Sequence, residues 1–138
     1  MTPKEIRLVQ QSLPAVLALR DTAPARLDEQ IVRLNAGAQP LFAAVAASRQ
    51  AVLLITAVAM AIEALGRGDH RLAETAVCQY HPRWGIGAHH FRGAGVVLVK
   101  VLAQQLGSEF TADLADAWTS ACEWVGRMAL QPRHSYAA

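Results

Sequence analysis

Apolar residues recur along this chain with the spacing of α-helices, and no useful length alternates polar and apolar positions as a β-strand would. The fold class is therefore predicted to be all-α. The first helix begins at "TPKE", where Thr2 and Glu5 have the spacing of a capping box and Pro3 takes the first helical position. Its apolar face consists of Ile6, Val9, Leu13, Val16 and Leu17. Pro14 lies within this helix and is expected to bend it or to end its regular part.

The same spacing, interrupted by Gly and Pro residues, predicts five more helical segments. In chain order they cover about 24–35, 48–65, 70 to 80 or 81, 89–106 and 111–130, and the corner "NAGAQPLF" has room for one short turn of helix. Gly66 is expected to cap the C-terminus of the long apolar helix, and Thr111 is expected to cap the N-terminus of the last helix.

The most apolar segment is "AVLLITAVAMAIEAL", residues 51–65. It is shorter than the roughly 20 residues that a bilayer-spanning helix needs, so no membrane span is predicted. A helix that is apolar nearly all round is expected to lie at the centre of the fold, covered on several sides. One of those sides is free to cover something other than protein.

Length and charge narrow the classes of function. The 138 residues predict one domain over 1–138, with 131–138 expected to be frayed. A net charge of +2 is too small and too scattered to indicate a nucleic-acid partner. The N-terminus has charges where a signal peptide needs an apolar run, and Cys78 and Cys122 are interpreted as buried, reduced thiols. These features together predict a cytoplasmic protein.

The break "QYHPRWGIGAHHF", residues 79–91, holds three of the five histidines. Taken alone, His81 fits a helix-terminal cap as well as it fits a general base or a metal ligand. His89 and His90 are adjacent, cannot share a helix face and are interpreted as solvated residues. Trp118 and Trp124 are expected to be core aromatics.

Four stretches in order resemble a globin of the bacterial single-domain or flavohaemoglobin type. "TPKEIRLVQQSLPAV" is similar to the opening helix, and "NAGAQPLF" is similar to the corner that ends in the family's phenylalanine, here Phe42. "HPRWGI" matches the proximal histidine followed by an aromatic and an aliphatic residue, and "GSEFTADLADAWTSACEWV" resembles the last turn and helix. The resemblance covers about residues 2–130 and implies a globin fold of six to seven helices around a haem pocket.

The resemblance implies haem b between the long apolar helix and the helix that carries His81. His81 would bind the iron through a ring nitrogen. The implied haem contacts are Phe42, Leu53, Trp84, Ile86 and Phe91. Counting back from His81 without gaps puts the distal polar position at Arg49, with Gln50 the alternative if the short corner shifts the register by one residue.

This chain departs from the flavohaemoglobin pattern at three positions. The distal tyrosine of those proteins corresponds to Asp28, and the proximal tyrosine and glutamate correspond to Phe91 and Gln131. Phenylalanine cannot form a hydrogen bond, and a neutral glutamine is a poorer acceptor than a carboxylate. An enzymatic role is therefore the weaker interpretation.

The expected function is reversible binding of oxygen or a related diatomic ligand. Carbon monoxide, nitric oxide and anionic haem ligands are further candidate partners, and a homodimer is left open. One alternative is a haem enzyme, a nitric oxide dioxygenase or a catalyst of nitrite or peroxide chemistry, that uses a separate reductase. A second alternative is a haem-free, globin-like sensor or dimer module.

Overall fold

The computed structural model describes residues 1–22, 25–26, 29, 50–78 and 88–129, with side chains described over 1–22, 25–26, 29, 54–77 and 95–128. Five α-helices occupy these ranges, and no strand is present among them: α1 Pro3–Thr22, α2 Gln50–Gly66, α3 His70–Cys78, α4 Ala88–Leu106 and α5 Ala112–Ala129. A short 3₁₀ helix, Gly107–Glu109, precedes α5. The predicted all-α class is confirmed. Ala25, Arg26 and Glu29 are also helical and fall within the second helix that the sequence predicts.

Helix α1 begins with the predicted capping box. The backbone N–H of Thr2 donates to Glu5 Oε1 at 2.8 Å, and the N–H of Glu5 donates to Thr2 Oγ1 at 3.2 Å. The helix then continues through Pro14 to Thr22. The expectation that Pro14 ends the regular helix is therefore wrong. Val9 before it and Val16 after it are both fully buried, so packing of both halves holds the helix across the proline.

The turn between α2 and α3 is built by Gly68 rather than by Gly66. Gly68 has a φ of 79°, its N–H donates to Leu65 O, and the N–H of Asp69 donates to Ala64 O. These two bonds form a Schellman motif, which needs a left-handed residue at Gly68. The predicted cap at Gly66 is thus wrong by two residues, because Gly66 is still helical.

Gly66 is contacted by the end of a side chain from α1. A Cβ placed on Gly66 would lie 2.1 Å from Gln10 Nε2, so a larger residue there would displace the Gln10 amide. The residue that follows Gly68, Asp69, caps the next helix: its Oδ1 accepts the N–H of Leu72 at 2.9 Å. One short turn therefore ends α2 and starts α3.

Helix α2 is central, as its composition predicts, and packs against α1, α3 and α5. Its buried residues are Leu54, Ile55, Ala57, Val58, Ala61, Ile62, Ala64 and Leu65. The apolar interior continues through α3, α4 and α5, where Trp118 is fully buried and Trp124 nearly so. Both tryptophans are core residues, as predicted.

Helices α4 and α5 also begin and end where the sequence indicates. Gly107 has a φ of 63° directly after α4, and Thr111 Oγ1 accepts the N–H of Leu114 at 3.2 Å at the start of α5. The two helices approach closely at Gly95, where an added Cβ would lie 2.8 Å from Cys122 Cβ. Gly95, the second glycine of "FRGAGVV", therefore permits close helix packing, in line with the sequence interpretation.

Candidate functional site

The predicted site residues lie mostly outside the described residues. This holds for the iron ligand His81 and for a further set of positions: Asp28, Phe42, Arg49, Trp84, Ile86 and Gln131. Three others fall on described helices at the level of the backbone. Gln50 is the first residue of α2, Leu53 lies one turn further along α2, and Phe91 lies in the first turn of α4. The described structure thus gives the helices that frame the site.

Helices α2 and α3 form the frame. The three residues between them make a tight turn, so the start of α2 and the end of α3 both lie away from that turn. The sequence places its site residues around those two ends: Gln50 at the start of α2, and His81 shortly after Cys78 at the end of α3. Gln50 and Cys78 therefore lie at the same end of the helix pair, and His81 follows Cys78 by three residues in the sequence.

A shallow groove separates part of α2 from α3. Glu63 and Ala64 of α2 both line this groove, together with Leu72 and Ala76 of α3. Adjacent residues on a helix differ in direction by about 100°, so two neighbouring faces of α2 border α3 here. Gln50 begins α2, seven residues before the fully buried Ala57.

Helix α2 also contacts α1 through a side-chain hydrogen bond. Thr56 Oγ1 accepts a hydrogen bond from Arg20 Nη1 of α1 at 3.1 Å. Glu63, seven residues further on, is exposed and pairs with Arg67 on the helix surface.

One side of α3 is buried in the core. Ala73 and Val77 are both fully buried and lie four residues apart, on this side of the helix. His81 lies four residues after Val77 in the sequence, outside the described residues. Leu72, one residue before Ala73, is 47% exposed.

The described core is apolar and holds no buried charge. Its buried residues are aliphatic or aromatic side chains together with Cys122. Burial raises the pKa of the Cys122 thiol to about 12, so this cysteine stays protonated and is free of any disulfide, as the sequence predicts. Among the described residues, no three His, Cys, Asp or Glu side chains come together to hold a metal ion.

The residues present fit a haem by the chemistry of the donor. A porphyrin supplies four nitrogens to its iron, so the protein has to provide one axial ligand and apolar walls. An imidazole such as that of His81 has the chemistry of this ligand, and the buried residues Ala57, Ala73 and Val77 of α2 and α3 are apolar.

None of the described helices has the length and hydrophobicity needed to span a bilayer.

The polar contacts between these helices were not predicted from the sequence. Trp118 Nε1 donates to Ser12 Oγ at 2.8 Å, and Ser120 Oγ donates to Glu5 Oε2. These partners lie more than a hundred residues apart along the chain, where no local sequence pattern can indicate them.

Comparison with known proteins gives one match. No curated protein and no solved structure matches the chain. The family model of the globins matches residues 38–128, a range that contains α2, α3, α4, all but the last residue of α5 and the predicted iron ligand. Because that range covers well over half of the 138 residues, the protein belongs to the globin family.

Proposed function

We propose that this globin holds haem b and binds oxygen or a related diatomic gas reversibly. The observation that carries the proposal is the family match over residues 38–128, which includes His81, Phe42 and both candidate distal residues, Arg49 and Gln50. We also infer that the chain is of the bacterial single-domain or flavohaemoglobin type, on the four stretches that resemble it. When bound, the haem would supply an iron with one coordination position open to the gas.

His81 would hold the iron from the side of α3. Its place four residues after the fully buried Val77 supports this role, because a helix extended to position 81 presents it inward. Its second ring nitrogen would donate to a carbonyl or carboxylate and so fix the tautomer that binds the metal. Phe42, Leu53, Trp84, Ile86 and Phe91 would supply apolar contacts to the porphyrin.

Arg49 and Gln50 are the two candidates for the residue beside the ligand. Gln50 is the first residue of α2, and Arg49 precedes it in the sequence. Both lie within the family match, whereas Asp28 lies outside it.

The chemistry of an amide differs from that of a guanidinium. The NH₂ group of Gln50 would donate one neutral hydrogen bond to the ligand, worth about 0.5–1.5 kcal/mol, or roughly a twofold to tenfold change in dissociation rate. A guanidinium at the same place would favour anionic ligands through its charge. Gln50 beside the ligand would therefore favour neutral diatomic gases, whereas Arg49 there would also favour anions.

Two matched variants of adjacent residues test the distal assignment. The variant that removes the residue beside the ligand should release oxygen faster, while its carbon monoxide dissociation, which depends less on a hydrogen bond, should change little. Faster oxygen release in Arg49→Leu alone would assign the distal position to Arg49, and in Gln50→Leu alone to Gln50. Unchanged oxygen release in both variants would count against a distal hydrogen bond from either residue.

Reversible binding itself is tested by a cycle of gas exchange on the haem-loaded, reduced protein. The visible spectrum should change on exposure to oxygen and return on removal of oxygen, over several cycles. Immediate and complete oxidation to the ferric form on each exposure would count against a gas-binding role.

A further inference from the structure

The last turn of α1 reaches the middle of α2 through one arginine. Arg20 Nη1 donates to Thr56 Oγ1 at 3.1 Å, and Arg20 Nε donates to Asp21 Oδ1 at 2.9 Å. The Arg20 side chain is only 23% exposed. Two separate contacts, one to its own helix and one to α2, thus hold the guanidinium in one orientation.

Helix α1 is itself anchored to other parts of the fold. Ser120 Oγ of α5 donates to Glu5 Oε2 near its start, and Ser12 Oγ accepts the indole N–H of Trp118 of α5 at 2.8 Å. Gln10 packs over Gly66 at the far end of α2. Arg20 therefore projects from a helix that is fixed against both α2 and α5.

A hydrogen bond at Thr56 can fix the rotation of α2 about its own axis. It directly precedes Ala57, which is fully buried in the core. Because side-chain directions on a helix are fixed relative to one another, a bond that holds Thr56 toward α1 also fixes the directions of the other faces of α2, including the face that would meet the haem.

We propose that Arg20 is a positioning residue for the ligand site, acting through Thr56 on the rotation of α2. This inference rests on the proposed function, since it takes α2 to be the helix on the ligand side of the haem. Arg20 would touch neither haem nor gas. It belongs to α1, which lies outside the part of the chain that the family model matches.

The test is a double-mutant cycle on the haem-loaded protein with Arg20→Met, Thr56→Val and the double variant. Methionine keeps a long side chain without the donors, and valine keeps the shape of threonine without the hydroxyl. Each single variant should change the oxygen dissociation rate by roughly twofold to thirtyfold, the range found for residues coupled to a distant site. The double variant should show no larger change than either single variant.

A second readout is independent of the bound gas. Amide hydrogen exchange in α2 of the full chain should rise in Arg20→Met and in Thr56→Val, with and without haem. Arg20→Lys, which retains a donor for Thr56 Oγ1, should restore most of both properties. Ser120→Ala is the matched control: it removes another tie of α1, to α5, and should lower stability without changing the oxygen rate or the exchange of α2 near Thr56.

The outcomes separate the two proposals. If the parent protein takes up no haem, the proposed function and this inference fall together. If the parent binds haem and gas normally, but Arg20→Met and Ser120→Ala alter the oxygen rate equally, Arg20 has only a general structural role. Additive effects of Arg20→Met and Thr56→Val would also overturn the inference while the proposed function stands.

Discussion

The hydrogen bond between Ser12 and Trp118 is the contact whose removal has the clearest expected cost. Trp118 is fully buried, and its indole N–H donates to Ser12 Oγ at 2.8 Å, while Ser12 Oγ donates to Val9 O at 2.8 Å. Ser12→Ala removes the acceptor and leaves the indole N–H without its partner. A buried donor without a partner costs about 1–3 kcal/mol.

The position of Ser12 narrows the expected loss in the free energy of unfolding. Ser12 also lines an open cleft of about 320 Å³ between α1 and the start of α5. Water entering that cleft can accept the freed N–H, which lowers the cost. We therefore expect Ser12→Ala to reduce the free energy of unfolding by about 1–2 kcal/mol, at the lower end of the range for a lost buried hydrogen bond.

Urea unfolding of four proteins measures this coupling: the parent, Ser12→Ala, Trp118→Phe and the double variant. Phenylalanine has no N–H, so Ser12→Ala should cost much less in the Trp118→Phe background than in the parent. The slope of unfolding free energy against urea should stay constant across the set. An equal cost of Ser12→Ala in both backgrounds would refute the idea that the unpaired indole N–H causes the loss.

Three further predictions concern the side chain of Glu5, the haem contact of Phe42 and peroxidase activity. Hydrogen bonds from Ser120 and from the backbone of Thr2 lower the pKa of Glu5. The stabilisation by the Glu5 carboxylate is therefore present above the ordinary carboxyl pKa and is lost as pH falls through the lowered pKa. Acid unfolding of Glu5→Gln should show a weaker pH dependence in that range. Phe42→Ala should cost the haem-loaded protein about 3–5 kcal/mol and the haem-free protein less, as judged by urea unfolding of both forms, and equal losses would mean that Phe42 contacts protein only. Peroxidase turnover should stay low because Phe91 and Gln131 replace hydrogen-bonding partners on the proximal side, and a rate comparable to that of a dedicated haem peroxidase would contradict this.

Local sequence signals were sufficient to predict where most of the described helices begin and end. The capping box of Thr2 and Glu5 and the N-cap at Thr111 rest on side chains three residues from the groups they bind, so the sequence contains the whole interaction. Gly68 and Gly66 were harder to separate, because both glycines follow the same apolar run and only the backbone shows which of them is left-handed.

The site could be predicted only as far as helical periodicity reaches. The four-residue spacing from Val77 to His81 is contained in the sequence, and the structure adds that Val77 is buried. The choice between Arg49 and Gln50 depends on the rotation of α2 about its own axis, which packing between distant parts of the chain sets and no local sequence pattern contains. Adjacent residues on a helix differ by about 100° in direction, so an uncertainty of one residue in the register exchanges one face for the next.

The central claim is that His81 holds haem iron in this globin. The direct measurement is the visible absorption spectrum of the purified chain with ferrous haem and carbon monoxide, compared among the parent, His81→Ala and His70→Ala. His70 is an exposed histidine at the start of α3 and serves as the matched control. The parent and His70→Ala should give the same sharp Soret band, and His81→Ala should lose it or regain it only with added imidazole. An unchanged spectrum and unchanged haem affinity in His81→Ala would contradict the claim.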